Sequence, residues 1–351
     1  MDPVILVVNV VKAVALILAL LAGFAYATFF ERRVVARMQA RLGPNRAGPG
    51  GVLLPVADGI KLIFKENITP VGVERGIYFL APLLSMVVAI MTFAVIPVGD
   101  PVTFQWNGGT YTVPLSVADF NVALLYMLGV SSLAVYGIIL AGWSSNNKYA
   151  LIGGLRSSVQ MISYELAMGV SLLGVVMLAG TLSVREIVDQ QATWWFVLLQ
   201  PLGFLIYVIT AIAETNRSPF DLPEAEQELI AGYHIEYTGM RFALFYMAEY
   251  ISMITVSALA VSLFLGGYRL PCLPGTPLAF LCALPPLLDV LVFLGKIVLC
   301  MFVFVWLRAT LPRLRYDRLM HLGWKVLLPL ALFNTAATAL AIVFYQNLGR
   351  G

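Results

Sequence analysis

The chain has 351 residues, of which 60% are hydrophobic and only 12% charged, with a net charge of +3. Its mean hydropathy is +0.88. Soluble domains carry about a quarter charged residues, so this composition excludes a soluble globular protein and describes one that crosses a membrane repeatedly.

A spanning helix needs about 20 mostly apolar residues. In chain order, eight segments qualify: 4–30, 76–98, 122–142, 157–180, 194–213, 241–266, 287–309 and 326–345. The first is too long for a signal-peptide core and has no basic residue before it, so it reads as a retained helix. Residues 51–65 differ, because Asp58, Lys61 and Lys65 interrupt the apolar pattern and the stretch is too short to span. It is expected to lie at the interface as an amphipathic helix. The fold class is therefore all-α: a single membrane domain over 1–351 with eight transmembrane helices and one interfacial helix. The outer loops 97–121 and 267–286 are rich in Gly and Pro and are expected to close the bundle.

Basic residues set the orientation. Arg32, Arg33, Arg37, Arg41, Arg46, Lys61, Lys65 and Arg75 follow the first span; Lys148 and Arg156 lie between the third and fourth. Arg217 and Arg241 lie between the fifth and sixth, and Arg308, Arg313, Arg315, Arg318 and Lys325 between the last two. The opposite side has little beyond Arg185, Arg269 and Arg350. The positive-inside rule places the basic loops in the cytoplasm and both termini outside.

Several chemistries are excluded by residue type. Cys272, Cys282 and Cys300 have no C-x-x-C spacing and no neighbouring histidine, which argues against a disulfide framework and a metal site. Only His234 and His321 exist, neither within an expected span, so paired axial haem ligands are not available. G-P-N-R-A-G-P-G at 43–50 lacks the Lys-Ser/Thr pair and the preceding strand of a phosphate loop, and reads as a sharp turn. The chain is expected to hold no metal, haem, flavin or nucleotide and to bind no nucleic acid.

Carboxylates are concentrated instead. Residues 214–250 contain Glu214, Asp221, Glu224, Glu226, Glu228, Glu236 and Glu249, and residues 214–240 form an acidic cytoplasmic loop. Glu165 and Glu249 fall inside expected spans, each eight residues from the cytoplasmic end and hence about 12 Å deep. Glu31 and Glu214 stand at the ends of the first and fifth spans. One intramembrane acid is often only hydrogen-bonded to a neighbouring helix; several at matched depth suggest proton or cation handling. Asp221 and Glu224 also fit a capping box, but Glu226 and Glu228 alternate and are not explained that way. Arg217 is the nearest counter-charge.

Four stretches carry a resemblance: E-R-R-V-V-A-R-M-Q-A-R-L-G-P-N-R-A-G-P-G-G at 31–51, A-G-W-S-S-N-N-K-Y-A-L-I-G-G-L-R from 141, I-S-Y-E-L from 162, and the 214–250 run. In order and content they resemble the H subunit of NADH–quinone oxidoreductase, the proximal membrane family of respiratory complex I. The resemblance implies a quinone substrate, with a chamber formed by Glu31, Arg32, Arg41, Asp58, Gly59, Phe242, Phe245, Tyr246 and Met247. It implies a proton path through Glu165, Glu214, Glu249, Glu224, Glu226 and Glu228. It also implies hydrophilic-arm partners carrying FMN and iron–sulfur clusters, antiporter-like membrane partners, and a bacterial inner membrane rather than a mitochondrial one. Ser132 stands where some relatives have a glutamate in the third span.

Two other readings compete. The homologous component of a membrane-bound hydrogenase would share the fold and acidic path without a quinone. An autonomous secondary transporter would carry internal repeats and spans broken near the midplane; neither is evident in the sequence.

Overall fold

The computed structural model describes residues 3–106, 109–221, 232–271 and 285–348. The first helix, α1 (Pro3–Met38), has 36 residues, about 54 Å at 1.5 Å per residue. It outruns a hydrocarbon core of about 30 Å because Glu31, Arg32, Arg33, Ala36, Arg37 and Met38 are all good helix formers. It stops where Ala40 turns to φ 52°. The turn expected at 43–50 is present. At Gly51, φ is +81° and an added Cβ would lie 2.2 Å from the Pro44 carbonyl oxygen, so only glycine fits.

The interfacial segment forms α2 (Leu54–Phe64), none of whose residues is buried. Next comes α3 (Arg75–Phe93). The outer loop after it contains a feature the all-α expectation did not include, an antiparallel hairpin of β1 (Val102–Trp106) and β2 (Gly109–Val113). Val102 pairs with Val113 and Trp106 with Gly109.

The spans are not all unbroken, contrary to expectation. The third divides into α4 (Ala123–Ser131) and α5 (Ala134–Ser144). The Ser131 and Ser132 hydroxyls donate to the carbonyls of Leu128 and Gly129, each at 2.9 Å. Such back-bonding competes with the backbone ladder and bends helices. The fourth is α6 (Lys148–Ala179), which begins nine residues before the expected 157. There the Asn147 side chain accepts from the Tyr149 amide at 3.0 Å and caps the helix.

A short helix, α7 (Val184–Gln190), precedes the fifth apolar stretch. That stretch is split into a single turn, α8 (Phe196–Leu199), and α9 (Pro201–Glu214). Pro201 supplies no amide and disfavours helix at Gln200, which breaks the segment there. The remainder is α10 (Gly239–Phe264), α11 (Pro286–Thr310), α12 (Tyr316–His321) and, after a π-helical segment at Leu322–Leu327, α13 (Leu328–Leu348). His321, expected outside the spans, thus lies in a continuous helical stretch, Tyr316–Asn347.

Among the described residues, seven helices are long and apolar enough to cross a membrane, and Pro201–Glu214 is a shorter apolar helix. The protein is a mostly helical, multi-pass membrane protein. Its centre is α10, 78% of whose apolar window is buried, against 6% for α1. Around α10 pack α1, α3, α9 and α11. The outer helices expose rows of Leu, Val, Ile and Phe, the surface a bilayer covers.

Candidate functional site: a buried carboxylate and arginine cluster

Where α1, α10 and α11 meet the loop after α9, four charged side chains come together, three of them largely withdrawn from solvent and Arg308 34% exposed. Glu31 on α1 is buried. Its Oε2 accepts the Tyr250 hydroxyl at 2.6 Å, and its Oε1 is ion-paired with Arg308 Nη1 from α11. Tyr246 lies one turn before Tyr250 on α10, with the two hydroxyl oxygens 3.2 Å apart.

Arg217, 5% exposed, closes the group from the loop. Its Nε lies 2.7 Å from Glu249 Oε1. Its guanidinium stands over the Tyr250 ring at 4.2 Å and the Tyr246 ring at 5.7 Å. Burial disfavours the charge on Arg217, but Glu249, Tyr250 and Glu31 outweigh it and hold the group firmly protonated. Two acids and two arginines from four separate elements therefore balance, as buried charges must. Removing one partner of such a set typically costs about 3–5 kcal/mol.

The loop is held in place from both sides. Buried Gln160 on α6 donates through Nε2 to the carbonyls of Ala213 and Phe220, both at 2.8 Å. The Leu314 amide donates to the Pro219 carbonyl at 3.0 Å, and Asp221 pairs with Arg313 at 3.0 Å. Asn216 takes φ 51°, a left-handed conformation that asparagine tolerates well.

Glu214 lies deeper. Its Oε2 is buried and has no hydrogen-bond partner among the described residues. It lines two small cavities of about 50 and 60 Å³, each with room for water. The first is edged by Thr92, Ser131, Ser252 and Thr255; the second also touches Glu249. Glu165 is half-buried and close enough to Glu214 for the two carboxylates to interact electrostatically.

Equal depth for Glu165 and Glu249 loses its basis in helix counting. Glu165 is seventeen residues into α6 and Glu249 ten into α10, because α6 starts at Lys148 and α10 at Gly239. What joins the acids is Glu214, which interacts electrostatically with Glu165 and lines a cavity together with Glu249.

Among the other sequence-derived candidates, Arg32 pairs with Asp58 at 3.1 Å on an exposed surface, linking α1 to α2. Gly59 has open space where a side chain would project. Phe242 stacks on Tyr246 with centroids 5.9 Å apart, and Phe24 of α1 meets Tyr246 and Tyr250 edge-on. Phe245 faces away, against Tyr233 and Tyr237, and Met247 is packed in the central core. Arg41 is exposed and bonds Gln39. Glu224, Glu226 and Glu228 lie outside the described residues, as does the helix expected after Asp221.

Sequence reasoning missed Arg308, Arg313, Tyr250 and Gln160. The arginines read as ordinary cytoplasmic anchors, and Gln160 as one polar residue in a span. Only Tyr250 gave a signal, its spacing of four from Tyr246.

Comparison with known proteins bears on this geometry. A family described as NADH dehydrogenase matches residues 11–339. The chain belongs to that family. The NADH-quinone oxidoreductase H subunit of Protochlamydia amoebophila is 51% identical over 315 residues, covering 90% of this chain and 91% of the relative. Its counterpart in Thermomicrobium roseum is 51% identical over 345 residues, covering 95% and 96%. The H subunit numbered 2 of Geobacter sulfurreducens is 51% identical over 320 residues, covering 91% and 92%. Since the NADH dehydrogenase match spans nearly the whole chain, both the Glu31 and the Glu249 ends of the cluster fall within it.

Proposed function

We propose that this chain is the H subunit of a bacterial NADH–quinone oxidoreductase, that it forms the membrane wall of the quinone chamber, and that its buried carboxylates couple quinone reduction to proton movement. The observation that carries this reading is the balanced cluster of Glu31, Arg308, Arg217 and Glu249, next to Glu214, whose Oε2 is buried and which borders two small cavities. Eight spans, cytoplasmic basic loops and both termini outside complete the topology, with α8 and α9 together making the fifth crossing. The plasma membrane of a bacterium is the location that fits the relatives. Partner proteins of the hydrophilic arm would bring FMN and iron–sulfur clusters, and antiporter-like partners would move protons.

Reducing a quinone to a quinol consumes two electrons and two protons. The chamber would run between α1, α2 and the Phe242–Tyr246 face of α10, with Arg41 at its mouth. Glu31 is linked to that face through the Tyr250 hydroxyl, which lies 3.2 Å from that of Tyr246. Its charge reaches Glu249 through Arg217, which interacts with both. Protonating Glu31 removes one of the two negative charges that share Arg217, so the charge balance around Glu249 changes with it. Glu249 holds no proton while it is paired with Arg217; a proton that reaches it when that balance shifts has Glu214 across the shared cavity, and Glu165 beyond it. Glu224, Glu226 and Glu228 would feed this route from the cytoplasmic loop. Ser131 and Ser132 offer hydroxyls rather than a carboxylate in the third span, so the route relies on Glu165, Glu214 and Glu249.

The test is Glu249→Gln in the intact complex, with quinone reduction and proton translocation measured together. The proposal expects assembled complex with sharply reduced coupled activity. Full turnover with full proton yield would overturn it.

A further inference from the structure

A long apolar groove of about 730 Å³ runs between α1 and α11, and it shares no lining residue with the Glu31–Glu249 cluster. Its α1 wall extends from Leu16 to Arg37, about 32 Å by helical rise, close to the thickness of a hydrocarbon core. Ala19, Gly23 and Ala27 keep that wall low, and Phe93, Ile254 and Phe293 form the floor. At Gly23, α1 comes so near α10 that an added Cβ would lie 3.3 Å from Ile254 Cδ1. The trough therefore lies beside a close helix contact and does not result from loose packing.

Charge appears at one end only. Arg33 and Arg37 are the charged residues of the lining, one helical turn apart on the same face. The Arg33 guanidinium lies 5.5 Å from the Phe29 ring centroid. Neither arginine has a carboxylate at ion-pair distance among the described residues. By contrast Arg32, next in sequence, is engaged by Asp58.

We propose that this groove binds an anionic phospholipid, with acyl chain along Ala19–Ala27 and phosphate held by Arg33 and Arg37. An apolar trough ending in two unpaired guanidiniums complements an amphiphile with an acidic head and a long tail. Guanidinium binds phosphate oxygens in forked pairs, and basic pockets between membrane helices favour such headgroups. A neutral isoprenoid chain would cover the apolar wall but offer the arginines nothing, and a partner's transmembrane helix would match them only with an acid of its own.

The experiment uses the purified whole complex in vesicles of phosphatidylglycerol and phosphatidylcholine. A photoreactive group is placed in the acyl chain of one lipid or the other. Labelled phosphatidylglycerol is expected to mark α1 and α11 peptides containing Ala19–Ala27 and Leu294–Met301, and labelled phosphatidylcholine to mark them far less. Arg33→Gln/Arg37→Gln should abolish most of the phosphatidylglycerol labelling while labelling elsewhere persists. Equal marking by the two headgroups would overturn the proposal, as would a cross-link from Leu294→Cys to a neighbouring protein of the complex in place of lipid. The headgroup comparison needs no variant, so it decides the matter even where the double substitution fails to assemble.

Discussion

Arg217 Nε and Glu249 Oε1 are 2.7 Å apart, and neither side chain is more than 14% exposed. The pair joins a loop to the most buried helix of the bundle, and its guanidinium is also stacked on Tyr250. Lysine cannot reproduce both the stack and the directed pairing. Arg217→Lys is therefore expected to behave nearly as badly as Arg217→Ala. Each should lower the thermal midpoint of the assembled complex, with a loss on the order of 3–5 kcal/mol for the alanine change. Adding Glu249→Gln to Arg217→Ala should recover part of it, since no buried charge then stands alone. A double-mutant cycle with strictly additive losses would show that the two residues act separately.

The acids Glu165 and Glu249 separate a proton route from simple packing. Glutamine keeps shape and hydrogen bonding but cannot change charge, whereas aspartate keeps the titrating group with a shorter reach. Coupled turnover is expected to fall further with Glu165→Gln and Glu249→Gln than with the aspartate variants. A purely structural role predicts the reverse order, because aspartate leaves a gap that glutamine does not. Proton yield per quinone reduced, measured in proteoliposomes, distinguishes the two.

Tyr250→Phe removes the hydroxyl that donates to Glu31 and leaves the ring beneath Arg217. Hydrogen bonds to charged groups contribute about 1.5–3 kcal/mol. The expected outcome is an assembled complex with a several-fold lower rate of quinone reduction. Electron transfer from NADH to a hydrophilic acceptor should stay at the level of the unmodified enzyme.

Gly59 has open space beside it on α2, so a large side chain there fits the fold. If α2 borders the chamber, Gly59→Trp raises the apparent KM for quinone and leaves the hydrophilic-acceptor activity unchanged. An assembled variant with an unchanged KM for quinone would remove α2 from the chamber, whereas equal loss of both activities would mean failed assembly.

Topology is tested in a cysteine-free background, since Cys272 and Cys282 fall in an expected outer loop. An impermeant thiol reagent applied from outside should modify Asn347→Cys and miss Arg46→Cys. The opposite pattern would invert the whole arrangement.

Apolar run length gave the helices well, because a bilayer imposes one long pattern on every span. It failed where side chains compete with the backbone or a proline intervenes, as at Ser131–Ser132 and Pro201. The hairpin at 102–113 escaped because a short outer loop leaves no comparable periodic trace. Within the site, Glu31, Glu249 and Arg217 were legible as charges in costly places. Their partners were not. Arg308 gains meaning only from Glu31, which lies 277 residues away in the chain, and spacing carries no information over that distance. Gln160 likewise looks ordinary until the Ala213 and Phe220 carbonyls are placed above it.

The separation of Glu31 from Arg308 also bears on how the protein is made. Synthesis delivers α1 first and α11 almost last, so the nascent chain carries an acid whose counter-ion has not yet been translated. Arg217 arrives between them, ahead of its own partner Glu249 on α10. The Arg217 half can close once α10 is made, but the Glu31 half must wait for α11. A chain truncated before Arg308 would retain most of its apolar spans, but its net charge would fall from +3 to −2. It would still lack a neutral interior, and the cell's membrane quality control would have an unpaired carboxylate to detect.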